Sequence, residues 1–190
     1  LSKQVPSSYA IISASIVLIF FSYFMKKYYW IKYSFISFIL TIFLFVLFGK
    51  IQEISLSSFL EQYILYPQTI GGDRIKNFVF TFGSAVSHFK FIYIAIIPLA
   101  FINIKKFFSE KNYFKDKNFY YFLILLFFTG SLIFHQLLTR NQTFIFFLIP
   151  ILFAFSHISL GLIKVKSRNL ITIIFILICF FATAKYHVRF

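Results

Sequence analysis

Apolar runs separated by short cationic stretches organise this chain. Tyr9 to Met25, Tyr33 to Gly49, Phe119 to Leu138 and Phe144 to Ile163 each carry a near-continuous apolar stretch. A helix needs roughly 17–25 such residues to cross the hydrocarbon core. Leu170 to Ala184 is shorter, but Lys185 and Tyr186 can snorkel at its end. Phe91 to Ile104 reaches the required length only if its helix starts upstream, near Ser84, with Lys90 snorkelling. The pattern predicts an all-α polytopic transmembrane helix bundle of about six spans. They fall near 9–25, 33–49, 84–104, 119–138, 144–163 and 170–184, in one membrane domain covering 1–190.

Residues 50–83 break the pattern and read as an external juxtamembrane segment lying in the interface. Ile51, Ile54, Leu56, Phe59, Leu60, Tyr63 and Ile64 share one helical face, with Gln52, Glu53, Ser57, Ser58, Glu61 and Gln62 mostly on the other. Pro67 is expected to end that helix, because proline disfavours helix at the residue before it. Gly71-Gly72 is expected to turn the chain. Asp73 is then a candidate N-cap for a second amphipathic stretch, Arg74 to Phe89. The segment reads equally as a structural cap over the bundle or as part of a site.

Composition confirms the class. Of 190 residues, 60% are hydrophobic, 13% are charged and 32 are Phe; mean hydropathy is +0.86. A soluble fold of this length cannot hide so much apolar surface, which excludes a soluble enzyme and a disordered tail. The Phe excess accompanies Ile, Lys, Asn and Tyr, the residues of AT-rich codons, and so says little about binding.

The formal charge of +14 would suggest nucleic acid in a soluble protein. Here the cations lie between spans, so no nucleic-acid partner is expected. Lys26, Lys27 and Lys32, then Lys105, Lys106, Lys111, Lys115 and Lys117, then Lys164, Lys166 and Arg168 mark three alternate loops. The positive-inside rule puts those loops in the cytoplasm. The segment 50–90, the turn 139–143 and both termini then face outside. The single cysteine, Cys179, permits no intrachain disulfide. The chain starts at Leu and stops at Arg189-Phe190, and it reads as a fragment lacking an N-terminal part.

Motifs of soluble chemistry are absent. Gly71-Gly72 lacks the spacing of a phosphate loop, and no ligand set for a metal is visible. No acid lies inside a span, which argues against a pump built on membrane carboxylates. Polar residues gather instead on the expected outer side: Asp73 and Arg74 in the loop, His135 and Gln136 at the end of span four, and Arg140-Asn141-Gln142 in the next turn. Lys185, His187 and Arg189 follow span six. Guanidinium groups there suit a phosphate; equally, each residue can be an interfacial anchor or a helix cap. His157, toward the cytoplasmic half of span five, reads as a hydrogen bond to a neighbouring helix. Thr129-Gly130-Ser131 and Gly83-Ser84-Ala85 read as close helix packing. Pro98 and Pro150 can kink their spans. Asn141-Gln142-Thr143 matches a glycosylation sequon but abuts the membrane. Lys105–Asn118 reads as a solvated loop without chemistry.

His135-Gln136-Leu137-Leu138-Thr139-Arg140-Asn141-Gln142, running into Phe146-Phe147-Leu148-Ile149-Pro150, resembles the late spans of GT-C type membrane glycosyltransferases. These are polyprenyl-phosphate-sugar dependent enzymes related to protein mannosyltransferases and lipid A aminoarabinose transferases. The segment ending Tyr66-Pro67, with Gly71 and Arg74 after it, is similar in kind to their juxtamembrane helices. The resemblance covers about residues 50–190, the C-terminal part of such a protein. It implies transfer of a sugar from a lipid-phosphate carrier to an acceptor at the outer face, in the bacterial inner membrane with the site toward the periplasm.

The resemblance also implies partners and roles. Membrane lipids and a lipid-linked sugar donor would be the partners, with no cofactor. Arg74, Arg140 and Arg189 would lie toward the carrier phosphate and His135, Asn141 and Gln142 toward the sugar, with His187 in the same substrate- or lipid-phosphate-binding set. The family's catalytic carboxylate sits in the first external loop. This chain has no acid before Glu53, so the catalytic residue is expected upstream of Leu1. Two other readings stand beside this one: an O-antigen polymerase or ligase type enzyme, and a non-catalytic transporter or flippase subunit.

Overall fold

The computed structural model describes residues 5–76, 78, 80–139, 145–163 and 165–187; the side chains of 5–7, 67, 70, 71, 73, 74 and 187 lie outside that description. Among the described residues there is no strand. Eight α-helices follow in order: α1 Val5–Met25, α2 Tyr29–Ile51, α3 Leu56–Leu60, α4 Tyr66–Lys76, α5 Lys90–Ser109, α6 Lys117–Thr139, α7 Leu148–Leu162 and α8 Arg168–His187. Six helical segments are long and apolar enough to cross a membrane: Ser8–Met25, Tyr29–Ile51, Lys90–Ser109, Lys117–Thr139, Ile145–Leu162 and Arg168–Tyr186. The protein is an all-α integral membrane protein. The chain forms two compact units, Leu1–Val79 and Phe80–Phe190.

In the first unit α1 and α2 form a hairpin. Both helices stop by the same device. After α1 the backbone enters the left-handed region at Lys26 (φ 55°), and the Lys27 N–H bonds the Ser22 carbonyl at 3.0 Å. After α2, Glu53 (φ 56°) plays the same part, and the Ile54 N–H bonds the Gly49 carbonyl at 2.9 Å. Each is a Schellman ending with a side-chain-bearing residue at the position glycine normally takes. Ser55 then caps α3, its hydroxyl accepting from the Ser58 N–H at 3.1 Å. The Phe59 ring packs on Phe45 of α2 and on Tyr63, with centroids 4.9 and 4.7 Å apart.

The path through Pro67 corrects the sequence expectation. The helix does not stop there. A π turn over Glu61–Leu65 joins α3 to α4, and α4 carries Pro67 as its second residue. In that turn the Tyr66 N–H bonds the Glu61 carbonyl, five residues back. The widened turn changes the hydrogen-bond register just before the residue that has no N–H to give. Gly71 and Gly72 are not a turn either: they continue α4, and no glycine has positive φ. Asp73 is accordingly inside a helix rather than capping one. Nor is 74–89 one helix, since α4 ends at Lys76 and a separate π turn, Gly83–Ser87, precedes α5.

The second unit is a four-helix bundle of α5 to α8 built on α5 against α7. Ile92, Ala95, Leu99 and Ile102 form the buried stripe of α5; Leu148, Ile149, Leu152, Phe153, Ser156 and Leu160 form that of α7. In lipid, such stripes associate through close packing and hydrogen bonds, because removing them from hydrocarbon gains no hydrophobic free energy. Ile92, Ala95 and Leu152 are 0% exposed. Phe153 stacks on Phe175 of α8 at 4.4 Å.

α5 starts at Lys90 rather than near Ser84, and it runs on to Ser109. The shift places Lys90 outside the apolar stretch and puts Lys106 in the last turn, where a cation complements the helix dipole. The upstream π turn is held by Tyr93, whose hydroxyl donates to the Ala85 carbonyl at 2.8 Å. Pro150 falls in the first turn of α7, behind a 3₁₀ turn over Ile145–Phe147, where a missing N–H costs no intrahelical bond. The small-residue reading fails at its glycines: a Cβ at Gly83 or Gly130 would meet nothing within 4 Å. Thr129 and Ala85 are the buried members of those patches.

The α5–α6 connection is also more than a solvated loop. Tyr113 is 3% exposed and packs with Phe107, Phe114 and Phe119. Its hydroxyl donates to Asn103 Oδ1 at 2.8 Å, and Asn103 Nδ2 donates to the Leu99 carbonyl at 2.8 Å. Lys106 Nζ bonds Asp116 Oδ2 at 3.1 Å, while the backbone N–H and amide of Asn118 donate to Oδ1. Burial pushes the Asp116 carboxyl up, but those three donors outweigh it and hold the group below the usual carboxylate range.

Candidate functional site

The up-and-down order of α5 to α8 sorts the second unit into two ends. One end holds the connections rich in Lys and Arg, Glu110–Asp116 and 163–167. The other holds the start of α5, the end of α6, the 145–147 turn and the end of α8. His88, Phe146 and Tyr186 meet there.

The Phe146 and Tyr186 rings lie parallel, with centroids 3.6 Å apart and planes 7° from each other. His88 stands edge-on to both, 5.8 Å from Phe146 and 6.4 Å from Tyr186. The Tyr186 hydroxyl donates to the His88 carbonyl at 3.0 Å. The bond ties the end of α8 to the residue between the 83–87 π turn and the start of α5. Phe91 completes the group at 5.9 Å from Tyr186. Two ammonium groups approach the Phe91 ring, Lys90 Nζ at 5.6 Å and Lys185 Nζ at 5.7 Å. Each is within cation–π range. Together they set a paired positive charge beside an aromatic cluster.

α6 packs against both the 83–87 and the 145–147 turns. His135 lies one turn from its end, half-buried, with its carbonyl accepting from the Thr139 hydroxyl at 2.9 Å. Gln136 beside it is 8% exposed, and its Nε2 makes no hydrogen bond within the described chain. Thr129, two turns earlier on the same face, has its hydroxyl in the same condition. Buried groups of this kind are uncommon and costly.

Of the residues expected from sequence, His135 is the one whose side chain is described, and it belongs to this end. His187 is the last residue of α8, directly after Tyr186, with its side chain outside the described set. Arg140, Asn141, Gln142 and Arg189 lie outside the described residues. Arg74 belongs to α4 in the first unit, and its side chain is likewise not described.

Sequence reasoning passed over His88, and it gave Tyr186 only a snorkelling role and Phe146 no role of its own. A signal was present for two of them. His88-Phe89-Lys90 opens one span and Lys185-Tyr186-His187 closes another, so a His and a Lys flank an aromatic residue at both positions. For Phe146, among 32 Phe, no signal existed.

The chemistry available is limited and specific. Residues 80–190 contain two acids, Glu110 and Asp116, both in the α5–α6 connection at the opposite end. A carboxylate base therefore does not come from this unit. No cluster of three metal-ligating side chains exists among the described residues. What the end offers is positive charge, imidazole and aromatic faces, a set suited to holding an anionic group. No family model matches the chain, and no curated protein or solved structure matches it either.

Proposed function

We propose that this chain is the membrane domain of a glycosyltransferase that takes a sugar from a polyprenyl-phosphate carrier at the outer face of the bacterial inner membrane. The convergence of Lys90 and Lys185 on Phe91, beside His88, Phe146 and Tyr186, supports this reading above all. It falls at the end where the positive-inside rule should deplete cations. Lysine binds phosphate as a point charge, and a phosphate on a lipid enters such a site from the bilayer. Arg140, Asn141 and Gln142 follow α6 at the same end in sequence, which adds a guanidinium to the carrier phosphate's side of the reaction. The catalytic carboxylate belongs to a part of the enzyme that these residues do not supply.

The test is sugar transfer from a labelled polyprenyl-phosphate sugar in membranes carrying the full-length protein. Replacing Lys90 and Lys185 together with Ala, or Arg140 with Ala, should each lower transfer about tenfold or more, the loss of roughly 1.4 kcal/mol of binding or transition-state stabilisation. Insertion and yield should stay unchanged. Undiminished transfer in both variants would remove this end from the site. Counterflow transport without any transfer would replace the enzyme reading with a carrier.

A further inference from the structure

A second feature lies away from that cluster, on the seam between α7 and α8. A groove there is lined by Pro150, Phe153, Ala154 and His157 from one helix and by Thr172 to Thr183 from the other. It holds about 430 Å³. Its wall on α8 is roughly 16 Å long at helical rise. The lining is almost wholly apolar, which suits a hydrocarbon chain of similar length.

Polar chemistry is confined to one stretch of the seam. His157 Nδ1 and Thr172 Oγ1 lie 2.6 Å apart, which meets the sequence expectation that His157 bonds a neighbouring helix. Thr172 already donates its hydroxyl proton to the Arg168 carbonyl at 2.8 Å. Its oxygen must therefore accept from His157, so Nδ1 carries a proton and Nε2 is left for another partner. One turn further along the same seam, Arg168 lies across Gly161. A Cβ at 161 would sit 2.8 Å from Arg168 Nη1, so only glycine leaves the guanidinium this place undisturbed. Arg168 and Lys166 are exposed, at the end that also carries the lysines of the α5–α6 connection.

From this we infer that the α7–α8 seam is a binding site for one anionic phospholipid of the leaflet at the basic-loop end. One acyl chain fills the groove past Cys179 toward Thr183. The phosphate rests on Arg168, with Lys166 adding charge, and His157 Nε2 hydrogen-bonds the lipid's polar neck. Basic residues between spans at the membrane surface are an established way to hold such headgroups. The site is separate from the sugar-transfer reading and does not rest on it.

Full-length protein purified from vesicles of phosphatidylglycerol or of phosphatidylcholine, and examined by native mass spectrometry, tests the inference. One phosphatidylglycerol should stay bound through detergent washing, and phosphatidylcholine should not. Arg168→Ala should lower retention about tenfold, equivalent to roughly 1.4 kcal/mol. Ala154→Phe, which fills the groove and leaves Arg168 in place, should do the same, and added glycerophosphate should not compete. Helicity and yield of both variants should match the parent. Equal retention of the two lipids, indifference to either substitution, or competition by glycerophosphate would each overturn the proposal. So would disulfide or bis-maleimide capture of a second copy through Cys179, because a protein would then occupy the groove.

Discussion

Tyr113 shows how much one side chain can contribute to a membrane bundle outside the membrane. Its hydroxyl reaches back to Asn103, an amide that is 4% exposed near the end of α5, and Asn103 in turn bonds the Leu99 carbonyl. The amide has no water to fall back on. Tyr113→Phe keeps the aromatic packing but leaves Asn103 Oδ1 without its donor, and it should destabilise the second unit by about 1–3 kcal/mol. Unfolding in mixed micelles, followed by circular dichroism, measures this. Tyr113→Phe combined with Asn103→Leu should recover part of the loss, because both partners are then gone. None of this was legible in the sequence, where Tyr113 stands among lysines and acids and reads as solvated. Burial of a loop residue depends on what folds over it, and the aromatic cluster of Phe107, Phe114 and Phe119 does so here.

Among the elements, the paired endings of α1 and α2 are the most informative. Both Schellman turns set a residue with a side chain at positive φ, which costs about 1–2 kcal/mol relative to glycine. Part of the gain from substituting glycine is returned as unfolded-chain entropy. Lys26→Gly and Glu53→Gly should each stabilise the first unit by about 0.5–1 kcal/mol. Denaturation midpoints of the single and double variants check this, and the sites are independent enough for the effects to add. The stops of both spans were readable to within a few residues, because they follow from apolar length. The course from Glu53 to Phe89 was not. The rule that proline and paired glycines end a helix is a local preference, and the π turn at Glu61–Leu65 removes the conflict that the rule anticipates. His135 fell where sequence put it for the same reason span six did: its distance from a helix end is set by counting. His88 and Tyr186 are joined across the chain, and periodicity carries no information about that.

For the whole molecule, six apolar helices and the alternation of basic and less basic connections agree. Each of the two basic connections of the second unit falls at one end of the α5–α8 bundle, as the charge pattern required. Within the second unit that agreement fixes which connections share an end and leaves a direct assignment of the side to experiment. In a Cys179→Ser background, Lys111→Cys should react with an impermeant maleimide only after the membrane is opened, and Gln68→Cys should react in intact cells. The reverse pattern would move the Lys90–Lys185 cluster to the other face and end the outer-site reading.

The bond from Tyr186 to the carbonyl of His88 spans 98 residues, and this has a consequence in time. During synthesis, α5, α6 and α7 enter the bilayer before α8 exists. Until then the His88 carbonyl lacks the Tyr186 hydroxyl, Phe146 has no stacking ring, and the second lysine is absent. The His88–Phe146–Tyr186 cluster is therefore the last feature of the α5–α8 bundle to be assembled. A chain interrupted anywhere before α8 lacks both Lys185 and Tyr186, so the cluster around Phe91 and Phe146 cannot close.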